Sequence, residues 1–135
     1  MHAVMTETAA RVDPRKVLIV EDDAAARATL SDLLTEEGYT CVEAAQGHEA
    51  IARLSEPGAP PCAILLDLMM PSMNGWEFRK WQRAHPVFAE IPVIVLSAVR
   101  DGPGEAAQLG AAGFVAKPID IEELLQLVER HCGQP

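Results

Sequence analysis

Hydrophobic positions in this chain fall into short unbroken runs that alternate with helical stripes. Residues 16–20 read KVLIV, a continuously apolar, β-branched segment that suits a strand buried on both faces. The run stops abruptly at Glu21, Asp22 and Asp23. Leu30, Leu33 and Leu34 then recur at helical spacing, with Gly38 as the stop signal. Residues 39–44 read as a second strand. Residues 46–55 read as a helix that turns Ala50, Ile51 and Leu54 inward, and the breakers Pro57, Gly58, Pro60 and Pro61 end it. Residues 62–66 form another apolar strand, which runs into Asp67. A turn over residues 70–75 leads to a helix over 76–84, and Pro86 terminates it. Residues 93–96 are a fourth strand, closed by Ser97. A weak helix over residues 105–109 follows, then a fifth strand over 114–116 that runs into Lys117 and Pro118. The last helix starts at Asp120 with Glu123 as its capping-box partner, and Ile121, Leu124, Leu125 and Val128 form its apolar face.

Five strand–helix units in strict alternation predict an α/β fold: a parallel sheet with helices on both faces. Residues 1–15 show no sustained periodicity and contain Pro14, so they are expected to be a flexible N-terminal tail ahead of one domain over residues 16–133. The 135 residues suffice for a core without staples, since a chain of this size buries roughly two-thirds of its unfolded surface.

Charge and composition remove several function classes. The formal net charge of −9 repels nucleic-acid phosphates, so direct nucleic-acid binding is not expected. No apolar run approaches the ~18 residues of a membrane span, and the first residues carry no secretory signal pattern. The expectation is a cytoplasmic protein without membrane insertion. Cys41, Cys62 and Cys132 have no zinc-site spacing and are expected to be separate buried or half-buried thiols. His2, His48, His85 and His131 are scattered and expected at the surface.

The chemistry is expected where the strands end, because ligands of open parallel sheets sit beyond the carboxyl edges of the strands. The first strand delivers Glu21, Asp22 and Asp23, the third Asp67, the fourth Ser97 and the fifth Lys117. Two carboxylates ~4 Å apart repel by roughly 1 kcal/mol in water and about 4 kcal/mol at an effective dielectric near 20. Lys117 offsets part of that repulsion, and a hard divalent ion with oxygen ligands, most naturally Mg²⁺ (or Mn²⁺), supplies the rest. No Ser-His-Asp or Cys-His arrangement falls in register, and no glycine-rich phosphate loop follows the first strand. A carboxylate nucleophile beside a divalent ion, a lysine and a hydroxyl is a set suited to phosphoryl transfer onto Asp67.

Four motifs carry a family resemblance: VLIVEDD at 17–23, LLDLMMPSMNG at 65–75, VLSA at 95–98 and VAKP at 115–118. In this order, at successive strand ends, they resemble the receiver domain of two-component response regulators, of the CheY-like single-domain type, over residues 16–132. The resemblance implies a flavodoxin-like, doubly wound (βα)5 fold with strand order 2-1-3-4-5. It implies that Asp67 is the phosphoacceptor and that Asp22 is a direct metal ligand. Glu21 would reach the metal through water, and the Met69 backbone carbonyl would be a further ligand. Asp23 would be the helix N-cap. Ser97 and Lys117 would contact the phosphoryl group, Ala98 would leave room for it, and the Lys117–Pro118 peptide would be cis. Ser97 and Phe114 would form the switch, with Phe114 lacking the hydroxyl of a tyrosine. The implied partners are a sensor histidine kinase or histidine phosphotransfer protein and an unknown downstream protein target.

Departures from the family pattern shape the remaining expectations. Ala111 and Gly113 stand where receivers that dimerise on DNA often carry acids, which weakens the case for that dimer. Gly102 and Gly104 lower helix propensity by about 1 kcal/mol each, so the fourth helix is expected to be short or mobile. Met69 and Val99 cannot position a hydrolytic water, so self-dephosphorylation is expected to be slow and the protein a switch rather than a turnover enzyme. The chain ends just after the fifth helix, and the expectation is a stand-alone regulator or the excised receiver of a longer protein. The competing readings are a phosphorylation-independent binding module on the same fold and a haloacid-dehalogenase-like phosphohydrolase. The latter lacks its second acid, since Met69 occupies that position.

Overall fold

A computed structural model of the chain describes residues 12–68, 74–98 and 102–133. In chain order these form β1 (Asp13–Val20), α1 (Ala24–Glu36), β2 (Thr40–Ala44), α2 (Gly47–Leu54), β3 (Pro61–Asp67), α3 (Gly75–Ala84), β4 (Val93–Ser97), α4 (Gly102–Leu109), β5 (Gly113–Ala116) and α5 (Ile121–Cys132). The strands make one parallel sheet in the order β2-β1-β3-β4-β5, the flavodoxin-like arrangement.

Strand periodicity divides the core into two layers. Leu18, Val20, Ile64, Leu66 and Val95 face α2, α3 and α4, where Leu54, Phe78 and Leu109 close over them. Val17, Ile19, Leu65, Ile94 and Leu96 face α1 and α5, which supply Leu30, Leu34, Leu124 and Val128. Full burial of one such side chain contributes roughly 1.5–3 kcal/mol.

Two element boundaries differ from the sequence expectation. β1 begins at Asp13, so residues 13–15 belong to the strand rather than to a tail. Pro14 is tolerated there because the pairing is irregular between Asp13 and Val17, and Asp13 N–H still donates to the Pro60 carbonyl at 2.8 Å. α4 begins at Gly102 and runs through both of its glycines, with Pro103 in its first turn, where a missing N–H leaves no bond unmade. The Asp120 cap is present, its carboxylate accepting from Glu122 and Glu123 N–H, but the reciprocal capping box belongs to Asn74 and Glu77 at the start of α3.

The cysteine expectation is overturned for two of the three residues. Cys62 and Cys132 are joined by a disulfide across 70 residues of sequence, while Cys41 is a free, half-buried thiol. The reason is topological. α5 starts at the carboxyl end of the sheet and runs back along β3, so its last residue meets the first turn of that strand. Linear spacing carries no trace of this.

Two further departures concern polar side chains. His85 and His131 are half-buried rather than exposed, the His85 ring lying 4.3 Å from Phe88 and 5.3 Å from Trp81. Arg79 and Gln82, on the face of α3 turned toward β4 and α4, are buried. Gln82 donates to the Phe88 and Ile91 carbonyls, and Arg79 donates to Gln82 and to the Leu109 and Gly110 carbonyls at the end of α4. These arginine bonds satisfy the orphan carbonyls that every helix end leaves. Among the described residues, no helix is long and apolar enough to cross a membrane.

Candidate functional site

Parallel strands all end at the same pole, and register decides which side chains meet there. Asp67 lies opposite Leu96 and Ser97 opposite Ala116, so the end of β3, the end of β4 and Lys117 just beyond β5 converge. Lys117 N–H donates to the Ser97 carbonyl at 3.0 Å, extending the ladder by one bond past β5. Glu21 N–H likewise continues beyond β1, donating to the Ala44 carbonyl. The site therefore sits on rigid sheet edge.

The acidic stretch after β1 splits into distinct tasks. Asp23 is the N-cap of α1, its carboxylate accepting from Ala25 and Ala26 N–H. Glu21 points inward and is 1% exposed, and Asp22 points to solvent. Glu21, Asp22 and Asp67 each offer a carboxylate oxygen within 4.8 Å of the others, an all-oxygen set able to hold a divalent ion. Met69, expected to add a backbone carbonyl, and Val99 both lie outside the described residues.

Among the described residues, Lys117 is the cation of this cluster. Its ammonium lies 2.7 Å from Glu21 Oε1 and 3.5 Å from Asp67 Oδ2. Burial alone would raise the Glu21 carboxyl, but the Lys117 ammonium, the Asp23 N–H and Asp67 outweigh it and hold Glu21 below its ordinary value of 4.5. Burial works against the Lys117 charge as well. There the Glu21 hydrogen bond and the Asp67 charge prevail, so Lys117 stays above its ordinary 10.5. Both groups are therefore ionised at neutral pH.

Ser97 is buried and Ala98 exposed, directly after β4. Phe114 is half-buried against the layer under α2, α3 and α4. The Lys117–Pro118 peptide is cis.

Two features of the site went unread in the sequence. Arg27, on α1 after the Asp23 cap, donates to the Glu21 carbonyl at 2.8 Å and pairs with Glu43 at 3.2 Å, which fixes the backbone that presents Glu21. Its signal is a cation just inside a helix whose cap follows two acids. The second is Gly75. Its N–H donates to the Leu68 carbonyl at 2.9 Å, and a Cβ there would come within 2.8 Å of Leu68 Cα and 3.1 Å of the Asp67 carbonyl oxygen. Beside the site a groove of about 460 Å³ opens between Ala25, Ala26 and Thr29 of α1 and the Pro118–Ile119 turn, with Glu21 and Lys117 on its wall.

The sequence profile of the response regulator receiver domain matches residues 17–129. Sporulation initiation phosphotransferase F of Bacillus subtilis is 34% identical over 118 residues, which cover 86% of this chain and 92% of that protein. The DNA-binding transcriptional regulator NtrC of Salmonella typhimurium is 36% identical over 117 residues, or 84% of this chain. The matched region spans only about a quarter (24%) of NtrC. Among solved structures, the receiver domain of sensor histidine kinase PA1611 from Pseudomonas aeruginosa superposes with a TM-score of 0.78 at 25% identity. The match covers 89% of this chain and 98% of that one, and that structure has a magnesium ion coordinated in its active-site cleft.

Proposed function

The chain belongs to the response regulator receiver domain family, and from that premise we propose that it is a switch in which Asp67 accepts a phosphoryl group from a phosphohistidine on a sensor kinase or phosphotransfer protein. What carries this reading is the convergence of a buried carboxylate, two neighbouring acids, a buried hydroxyl and one shared ammonium at a single sheet edge. An Asp67 carboxylate oxygen attacks phosphorus, the phosphorus–nitrogen bond of the donor breaks, and the electron pair leaves with the imidazole. Asp22 and Asp67 would hold Mg²⁺ directly and Glu21 through water, and the ion would supply positive charge against the phosphoryl oxygens. Lys117 stabilises the same oxygens from the β5 side, and Ser97 donates its hydroxyl to one of them. The groove beside α1 receives the donor protein, since it opens onto the wall formed by Glu21 and Lys117.

Phosphorylation adds nearly two negative charges and three acceptor oxygens at a buried edge. Ser97 follows those oxygens, and the half-buried Phe114 on the adjoining strand takes the space it vacates, which alters the surface around α4 and β5. The protein acts as a signalling switch and not as a turnover catalyst.

Intact mass after incubation with acetyl phosphate, with and without Mg²⁺, tests the reading. The expected result is a Mg²⁺-dependent gain of one phosphoryl group that Asp67→Asn lacks. Full uptake by Asp67→Asn would overturn the site assignment. No uptake, with tryptophan fluorescence also unmoved by beryllofluoride and Mg²⁺, would favour a phosphorylation-independent binding module.

A further inference from the structure

We propose that Cys62 and Cys132 form a reversible thiol–disulfide exchange site, at which a low-molecular-weight disulfide fixes the last turn of α5 and a low-molecular-weight thiol, running the same exchange in reverse, frees it. The pair lies at the opposite pole of the sheet from Asp67, where β3 begins and α5 ends.

The two partners differ in access. Cys62 is 3% exposed within the layer under α1 and α5, whereas Cys132 is half-buried in the final helical turn. A small reagent therefore reaches the Cys132 sulfur first. The Cys132 thiolate attacks a disulfide RSSR and releases RS⁻. The Cys62 thiolate then attacks the mixed disulfide and releases a second RS⁻. Two thiols become one disulfide, RSSR becomes two RSH, and the two thiol protons end on the leaving thiols.

Both redox states have a place in the fold. The Cys62 sulfur lies 3.2 Å from the Lys16 carbonyl oxygen and 3.5 Å from that of Pro14, so the reduced thiol has acceptors already positioned. The layer does not depend on the bond either, because Leu124 and Val128 remain as anchors of α5. After reduction the helix end retains one long-range side-chain hydrogen bond among the described residues, from Tyr39 Oη–H to the Gly133 carbonyl at 3.0 Å. Exchange thus loosens one turn and leaves the rest of the helix docked. Cys41 serves as the internal reference: it is a free thiol, its acidity lowered chiefly by burial and its sulfur close to the Ser31 carbonyl.

The same helix starts just beyond Lys117 and Pro118, so the exchange acts on the far end of an element whose near end borders the charged cluster. No step of the proposal uses phosphorylation, so it stands or falls separately from the function assigned to Asp67.

The test treats the native full chain with oxidised glutathione, then dithiothreitol, then oxidised glutathione again. Each sample is acid-quenched, alkylated in denaturant with N-ethylmaleimide and weighed intact. The expected counts are one, three and one alkyl groups, and none, two and none for Cys41→Ser. Three alkyl groups after the oxidant would overturn the site, as would persistent glutathione adducts. One alkyl group after native dithiothreitol would overturn exchange, because the bond would then be a permanent staple. Amide hydrogen exchange reads the second half of the proposal. Exchange in the last turn of α5 should speed up on reduction while its first turn at Asp120 is unchanged. A uniform change along the helix, or none, would overturn the tether.

Discussion

The two poles of this sheet handle charge and attachment in opposite ways. At the carboxyl pole Glu21, Asp22 and Asp67 bring carboxylate oxygens within 4.8 Å of one another, and the Lys117 ammonium pairs with Glu21 and Asp67. At the amino pole the contacts are ties: the Cys62–Cys132 disulfide, Tyr39 to Gly133 at 3.0 Å, Lys16 Nζ to the Ala59 carbonyl at 2.8 Å, and Asp13 N–H to the Pro60 carbonyl at 2.8 Å. Strand polarity produces the contrast, since in an all-parallel sheet every loop after a strand lies at one pole and every loop before a strand at the other. The carboxyl pole gathers Glu21, Asp22 and Asp67 beside Lys117, and the layers between the poles and the ties behind them keep those groups in place. Function and attachment are separated by the length of a strand.

Substitutions can break that contrast from either side. The largest effect is expected for Asp67→Asn, which should abolish phosphoryl uptake from acetyl phosphate by intact mass. The same protein should unfold cooperatively in urea, because the tied pole is untouched. Next is Cys132→Ser under oxidising conditions. Releasing a cross-link that spans 70 residues should lower unfolding free energy by about 4 kcal/mol in urea titration, with phosphoryl uptake retained. Gln82→Leu, between the poles, should cost about 2 kcal/mol, since it leaves the Phe88 and Ile91 carbonyls without their buried donor. The smallest effect has the opposite sign. Asp22→Asn should raise stability in Mg²⁺-free buffer by about 0.5 kcal/mol, the value of one relieved repulsion at a solvent-facing site. Added Mg²⁺ should then stabilise the parent chain more than the variant in thermal melts. A variant less stable than the parent without Mg²⁺ would show that the carboxyl pole is not under charge repulsion.

Legibility in the sequence followed the range of the interactions involved. The apolar runs of β1, β3 and β4 are local signals, and the acids, hydroxyl and lysine that end the strands were readable because a strand end is a local event. Their meeting at one pole follows from alternation alone. Arg79 and Gln82 were not readable as buried, because their environment is the end of α4 and the segment before β4, brought close only by the fold. The cysteine pairing was hidden for the same reason. The weak helix read over residues 105–109 begins earlier in the fold, at Gly102, with Pro103 in its first turn as the fixed φ of proline suits, and at 8 residues it is short as expected. Arg27 carries only a weak signal, a cation just inside a capped helix, because its partners are the Glu21 backbone carbonyl and Glu43 on a neighbouring strand.

Gly75 gives the carboxyl pole a mechanical property of its own. The peptide that carries Asp67 and the first turn of α3 touch where a glycine hydrogen stands, with no depth left for a methyl group. The seam between β3 and α3 is therefore one hydrogen atom wide. A side chain at position 75 would act as a wedge whose thrust falls on Leu68 and, through one peptide link, on the direction in which the Asp67 carboxylate points. The aim of the Asp67 carboxylate is thus set partly by an atom that makes no bond to it.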